Sequence, residues 1–294
     1  MATETVDPRF RDLDAWPLAN AIEAMWEGQL SAVAAVRQAL PEMTAATEAA
    51  ALALGETGRL VYVGAGTSGR VAVQDGAELA PTFDWPLERV AFAMAGGDSA
   101  LMASIEGAED DIEAALRRMD ALVITPCDVV IGVAASGTTP FTVAAINRAT
   151  ELGALTIGIA NNAWTPLLTA ARYPVLIPTG SEQIAGSTRM KAGTAQKVVL
   201  NLISSGIMLR LGRVYCGMMV NMRTANSKLR GRAERMLVDL TGCDQASARK
   251  ALALAQNDIK LATLIALGHD RDDAVKALQS AQGNLRQAIN GLRG

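Results

Sequence analysis

Three turns of this chain combine glycines with hydroxyl side chains in the way that suits phosphate. The first is Gly64-Ala-Gly-Thr-Ser-Gly69, which follows the β-branched and aromatic run Leu60 to Val63 and precedes a segment free of breakers until Gly76. That order reads as strand, tight turn, helix. Such a turn aims unpaired backbone N–H groups and the positive end of the helix dipole at an anion above it, so Gly66, Thr67 and Ser68 are candidate phosphate ligands. The second turn is Ala134-Ala-Ser-Gly-Thr-Thr-Pro140, directly after Val129-Val-Ile-Gly-Val133. Pro140 suits a first helical turn, which makes Ser136, Gly137, Thr138 and Thr139 the matching candidates. The third, Gly186-Ser-Thr-Arg-Met-Lys191, heads the apolar stretch Val198 to Leu209. Ser187, Thr188 and Lys191 are read as site residues at another anion-facing helix end, whereas Arg189 and Lys197 are read as solvated or salt-bridged charges.

The first turn also satisfies the dinucleotide pattern G-x-G-x-x-G, and Asp98, after an expected strand over 89–94, stands roughly where a ribose-binding acid belongs. Hydroxyls at two variable positions, Thr67 and Ser68, fit a terminal phosphate monoester better, and a dinucleotide fold needs no second hydroxyl-rich turn. Glycines that merely form a tight turn are the structural alternative. The only histidine, His269, lies near the carboxyl end in Leu-Gly-His-Asp270. Histidine triads are thereby excluded from the main domain, and a zinc site lacks its usual donors. Acid–base chemistry falls to carboxylates, Lys, Tyr or Cys, with no metal and no cofactor expected. The cysteines, Cys127, Cys216 and Cys243, contain no C-x-x-C and are expected to be buried structural thiols.

The elements that must hold these turns follow from periodicity. Residues 1–20 show little of it and read as an arm anchored by Phe10, Leu13 and Trp16; residues 21–54 read as two or three covering helices broken at Pro41. Strands are expected at 60–63, 89–94, 129–134, 155–160 and 174–177, with helices near 69–77, 99–118, 140–152 and 164–171. This is an α/β class of three αβα layers, a doubly wound, mostly parallel five-stranded sheet of flavodoxin-like type. Ligands in such sheets bind beyond the strand carboxyl ends, where the strand order switches. Past Met236 the chain turns into small Ala-rich helices. There Ala248, Lys250, Ala251, Leu252, Ala255 and Gln256 recur as Ala274, Lys276, Ala277, Leu278, Ala281 and Gln282, a repeat that Ala-rich helices can show by chance. The expected division is 1–54 arm and covering helices, 55–239 main domain, and 240–294 small helical domain.

Among the 294 residues 50% are apolar and 4% aromatic, and the formal charge is −3. This supports a large core and gives no electrostatic reason to expect nucleic acid or an anionic membrane. No basic start, apolar leader or membrane-length run is seen, so a reducing cytoplasm is expected.

Taken together, Gly64-Ala-Gly-Thr-Ser-Gly-Arg70, Asp75-Gly-Ala-Glu78, Glu106-Gly-Ala-Glu-Asp110, Ala135-Ser-Gly-Thr-Thr-Pro140 and Gly186-Ser-Thr-Arg-Met-Lys-Ala-Gly-Thr-Ala-Gln-Lys197 resemble the N-acetylmuramic acid 6-phosphate etherase family, in order, from about residue 55 to the carboxyl end. The resemblance implies a sugar isomerase (SIS) domain with a ubiquitin-associated-like helical tail. It also implies a homodimeric cytoplasmic lyase of peptidoglycan recycling that converts N-acetylmuramate 6-phosphate to N-acetylglucosamine 6-phosphate and D-lactate. The family's Asp-Ala-Ser-Glu is Asp75-Gly-Ala-Glu78 here, its Cys-Pro-Pro-Thr is Leu79-Ala-Pro-Thr82, and its Asn-rich amino-terminal pattern is replaced by Phe10-Arg-Asp-Leu-Asp-Ala-Trp16.

The implied reaction breaks a C3–O ether by removing the C2 proton of the opened aldehyde, and two carboxylates can run it without histidine or metal. The resemblance places the acid at Glu78 and the base at Glu109. If 69–78 is helical, Glu78 lies roughly 15 Å from the Ser68 turn, which suggests that Glu78 of one chain completes the site of another. A sugar phosphate isomerase and a non-catalytic sugar phosphate sensor of the same fold are the competing readings.

Overall fold

The computed structural model describes residues 1–293 except 223, 225 and 226. Two helices precede the sheet, α1 (Leu18–Ala35) and α2 (Leu40–Leu54), with Pro41 in the first turn of α2. Proline is tolerated there because its missing N–H would have no helical partner. The apolar runs become β1 (Leu60–Gly64), β2 (Val90–Met94), β3 (Val129–Ala134), β4 (Leu155–Ala160) and β5 (Tyr173–Leu176), all parallel, in the order β2-β1-β3-β4-β5. Strands β1, β3 and β4 are buried along their whole length, the consequence of helices on both faces of a parallel sheet.

Chain order reverses between β1 and β3, whose carboxyl ends are in register at Gly64 and Val133. From these adjacent ends leave α3 (Gly66–Ala77) and α6 (Pro140–Glu151), with α4 (Leu79–Phe83) and α5 (Ile112–Ala121) between them in sequence. Helices α5, α6 and α7 (Pro166–Ala170) cover one face through a core that includes Val61, Val130, Met119, Phe141, Ile146 and Leu167. The last helix of this part, α8 (Lys191–Arg210), buries Ala192, Ala195, Val199 and Ile203.

The Asp75-Gly-Ala-Glu78 segment has a packing reason for its glycine. A Cβ at Gly76 would come within 2.6 Å of Phe92 Cε1 and 2.8 Å of Tyr62 Cε2, two rings stacked at 5.9 Å on β2 and β1. Next to it Asp75, 2% exposed, accepts hydrogen bonds from Tyr62 Oη (2.9 Å) and Asn201 Nδ2 (2.7 Å), with Lys197 Nζ at 4.0 Å. Burial, with Asp75 alongside, pushes the Tyr62 phenol well above its ordinary pKa. Asp75 thus ties α3 to β1 and α8, and Lys197 is an ion-pair partner, as expected of it.

Two expectations, the helix over 99–118 and the buried cysteines, are corrected, and two, the arm and the tail repeat, are made more specific. The single helix over 99–118 is instead a 3-10 turn (Asp98–Leu101), a loop, a second 3-10 turn (Ala108–Asp110) and α5. Gly107 is left-handed at φ 71° and the Asp111 side chain accepts from Ala114 N, so the helix restarts at Ile112. The arm is a string of 3-10 turns in which Phe10, Leu13 and Trp16 are only half-buried, while Thr3 is fully buried. Cys127 and Cys216 are exposed and Cys243 is half-buried; the first two sit in turns, before β3 and between Tyr215 and Met218. The tail repeat is structural: after α9 (Ser227–Thr241), α10 (Gln245–Leu254) with α11 (Ile259–Ala266) is repeated by α12 (Arg271–Ser280) with α13 (Leu285–Arg293). Asp244 and Asp270 cap α10 and α12, and Gln256 and Gln282 hold left-handed φ of 53° and 50° after them.

By contact density the chain divides into Met1–Ala77 with Leu87–Gly206, and Glu78–Pro86 with Ile207–Gly294. Within these units α2 packs on β3, β4 and β5, and α9 shares the apolar core of the tail helices. Among the described residues no helix is long and apolar enough to cross a membrane.

Candidate functional site

The first turn is built by close approach. Gly64 and Gly69 touch so tightly that a Cβ on either would meet the other's backbone at 2.8 Å, whereas the middle glycine, Gly66, has φ +52° and open space around its Cβ position. Two glycines therefore serve strand-to-helix packing, and the third bends the chain at the first residue of α3, so that Thr67 and Ser68 fall in the helix's first turn. The second turn uses its hydroxyls on itself. Ser136 Oγ accepts from Thr138 N (3.1 Å) and lies 3.4 Å from Thr139 Oγ1. Thr139 occupies the N-cap of α6 without a side-chain cap hydrogen bond, so its hydroxyl is not committed to the α6 backbone.

Both turns open into one cavity of about 350 Å³, the size of a small-ligand site. Of the residues singled out in the sequence, Gly66, Thr67, Ser68, Ser136, Thr138, Thr139, Thr188 and Glu109 line it. Hydroxyls and helix starts of α3 and α6 supply donors for an anion, and carboxylates supply acceptors. Glu109 is delivered by the 3-10 turn ahead of α5, where half-buried Ala108 packs on the core and leaves Glu109 exposed. Asp98 lines a different cavity, with Phe92, Met94 and Arg118.

Gly137, Ser187 and Lys191 do not line the cavity. Gly137 makes the turn itself, at φ +70°. Glu78 is the exposed residue between α3 and α4. The head of α8 is occupied by the chain: the carboxylate of fully buried Glu182 accepts from Lys191 N (2.8 Å) and Ala192 N (2.9 Å). Lys191 Nζ donates to Ser181 O at 2.9 Å, and burial lowers its pKa against the pull of Glu182. The expected third anion-facing end is thus an internally capped one.

Sequence reasoning missed Glu4 and Asp110, which also line the cavity. Glu4 arrives because Thr3 is stapled into the structure. Thr3 N donates to Asn162 Oδ1 (3.4 Å), Asn162 Nδ2 donates to Thr3 Oγ1 (3.0 Å) and to Ala135 O (2.9 Å), and Gly186 N donates to Thr3 O (3.1 Å). No periodic signal marks such a segment. Asp110 does carry a local signal, since it stands beside Glu109 in the acidic motif.

Comparisons with known proteins bear on the family and the fold. The glucokinase regulatory protein N-terminal SIS domain family matches residues 42–150. Among solved structures, a protein of Escherichia coli CFT073, solved as a complex, is similar over 68% of this chain and 94% of its own, with TM-score 0.51 and 20% identity. A phosphoheptose isomerase from Francisella tularensis is similar over 65% of this chain and 98% of its own, with TM-score 0.50 and 18% identity. At these identities the likeness speaks to the fold, which is that of SIS proteins. Sequence relatives reach further. An N-acetylmuramic acid 6-phosphate etherase of Deinococcus radiodurans is 48% identical over 98% of this chain and 94% of its own length. Those of Streptomyces coelicolor and Aeromonas hydrophila are 41% and 40% identical, over 98% and 99% of this chain and 93% and 98% of theirs. The chain belongs to the N-acetylmuramic acid 6-phosphate etherase family.

Proposed function

We propose that this protein is a lyase that cleaves the D-lactyl ether of N-acetylmuramate 6-phosphate, giving N-acetylglucosamine 6-phosphate and D-lactate. The observation that carries the reading is the single cavity in which two hydroxyl-rich helix starts meet the Glu109 carboxylate. The phosphate binds at Thr67, Ser68, Ser136, Thr138 and Thr139, where N–H and O–H donors converge and helix dipoles favour negative charge. Glu109 takes the C2 proton of the opened sugar; the electron pair forms the C2–C3 double bond as the C3–O bond breaks, and Glu78 protonates the departing lactate oxygen. Water then adds its hydroxyl to C3 and a proton to C2. Balance requires one water consumed and no oxidant, so carboxylates alone suffice.

Because Glu78 follows the last residue of α3 (Gly66–Ala77), roughly 15 Å along the helix from the Ser68 turn, we assign it to the site of a second copy. A homodimer is supported by the uncovered apolar stripe on α1, where Leu18, Ile22, Trp26, Leu30 and Val33 are exposed at helical spacing. We place the enzyme in the cytoplasm, in peptidoglycan recycling, since a phosphorylated sugar is confined to the compartment that makes it. The full-length relatives named as etherases favour this reading over an isomerase or a sensor. Incubation of the full chain with N-acetylmuramate 6-phosphate is expected to release stoichiometric D-lactate; interconversion of sugar phosphates without lactate would favour the isomerase, and binding without turnover the sensor.

A further inference from the structure

The cavity wall contains a carboxylate that the reaction as written does not use. We propose that Glu4 is a substrate-contacting residue that accepts hydrogen bonds from the sugar, and that the Thr3–Asn162 contact positions it; this rests on the phosphosugar reading of the cavity. Glu4 shares the cavity with Ser68, Ser136, Thr188 and Glu109. It is not carried there by a loose tail. Thr3 is fully buried and Asn162 is 5% exposed, and the bonds between them link residues 159 positions apart. Through Ala135 O the same Asn162 holds the backbone immediately before Ser136, and through Thr3 O the arm holds Gly186 beside the Ser187-Thr188 turn. One staple therefore ties the arm to two of the hydroxyl-bearing turns. The Glu4 carboxylate lies against Gly186, with Oε2 only 2.9 Å from where a Cβ would stand.

Charge and hydrogen-bond chemistry decide what Glu4 addresses. An ionised carboxylate only accepts hydrogen bonds, and beside a bound phosphate it would meet a like charge. The donors of Thr67, Ser68, Ser136 and Thr139 are suited to the phosphate, so the partner left for Glu4 is the uncharged part of the ligand, its hydroxyl or amide hydrogens. Glu4 thus selects for a sugar carried on the phosphate over phosphate itself.

Calorimetry with two probes tests this on the full chain. Glu4→Ala is expected to weaken binding of N-acetylglucosamine 6-phosphate about tenfold or more, the size of one hydrogen bond to a charged acceptor, while inorganic phosphate binding holds within about twofold. Thr3→Val should reproduce the loss and Thr3→Ser, which keeps the hydroxyl, should restore it. Equal weakening of both probes would assign Glu4 a merely structural role and overturn the proposal, as would unchanged affinity for both. If the unsubstituted chain binds the sugar phosphate but releases no lactate, the lyase reading fails while the Glu4 comparison still stands or falls on the two affinities. If it binds neither probe, both fall together.

Discussion

Helices α3 and α8 begin alike and end up differently. Each follows a turn rich in Gly, Ser and Thr, and each presents the first N–H groups of a helix that lack a carbonyl four residues back. The start of α3 faces the cavity shared with Glu109. The start of α8 is filled by Glu182, a fully buried carboxylate that accepts from Lys191 N and Ala192 N. A helix N-terminus attracts an anion in either case; what differs is whether the chain supplies its own. That difference separates a helix start left open to the cavity from a structural cap, beside which Lys191 Nζ donates to Ser181 O.

The largest expected effect on stability comes from breaking the internal cap. Glu182→Ala removes two charge-assisted hydrogen bonds and strands two N–H groups, so unfolding by denaturant should show a loss of about 3 kcal/mol or more. An effect below about 1 kcal/mol would mean that α8 is not held by this carboxylate. At the α3 end the pattern should invert. Ser68→Ala and Ser136→Ala should each weaken sugar phosphate binding about tenfold or more, with little change in stability. Calorimetric affinity that is unchanged in both variants would remove the phosphate from these turns.

The opposite end of the sheet supplies a third carboxylate for scale. Asp128, 1% exposed, receives Arg59 Nη2 at 2.7 Å and the backbone N–H groups of Arg59 and Thr125 at 2.9 Å each. Burial pushes its carboxyl pKa up, but Arg59 and these N–H donors outweigh that and hold it below the ordinary carboxylate value. Its proton binding is therefore weaker folded than unfolded. The stability it contributes is complete above the unfolded pKa of about 3.9 and is lost as pH falls through the lower folded value. Asp128→Asn should cost about 2 kcal/mol at neutral pH, and the gap to the unsubstituted protein should close below about pH 3.9. A gap that is constant with pH would show that the Asp128 charge is not what matters.

Much of this is legible in the sequence because it is local. The strand runs, Pro140 at the start of α6 and the hydroxyls of both cradles are read within a few residues of each other. Gly107 and the Asp111 cap are equally local, and together they outweigh the helical periodicity that runs across 99–118. The same holds for the tail, where Asp244 and Asp270 stand at the spacing of the Ala-rich repeat and mark it as structural. What is not legible is long-range pairing. Thr3 finds Asn162, and Glu182 finds a helix start that resembles a ligand site, through contacts that no periodicity encodes. Glu4 enters the site as a consequence of the first of these.

The central claim is that Glu109 is the base of the cavity and that Glu78 acts as a separate acid. Incubation in deuterated water, with lactate release and exchange at C2 followed together, tests it most directly. Glu109→Gln should lose both signals by about 10² to 10⁴-fold, the usual worth of general base assistance. Glu78→Gln should lose lactate release yet retain slow C2 exchange, because the base and the opened aldehyde survive. C2 exchange in Glu109→Gln at the rate of the unsubstituted protein would contradict the account.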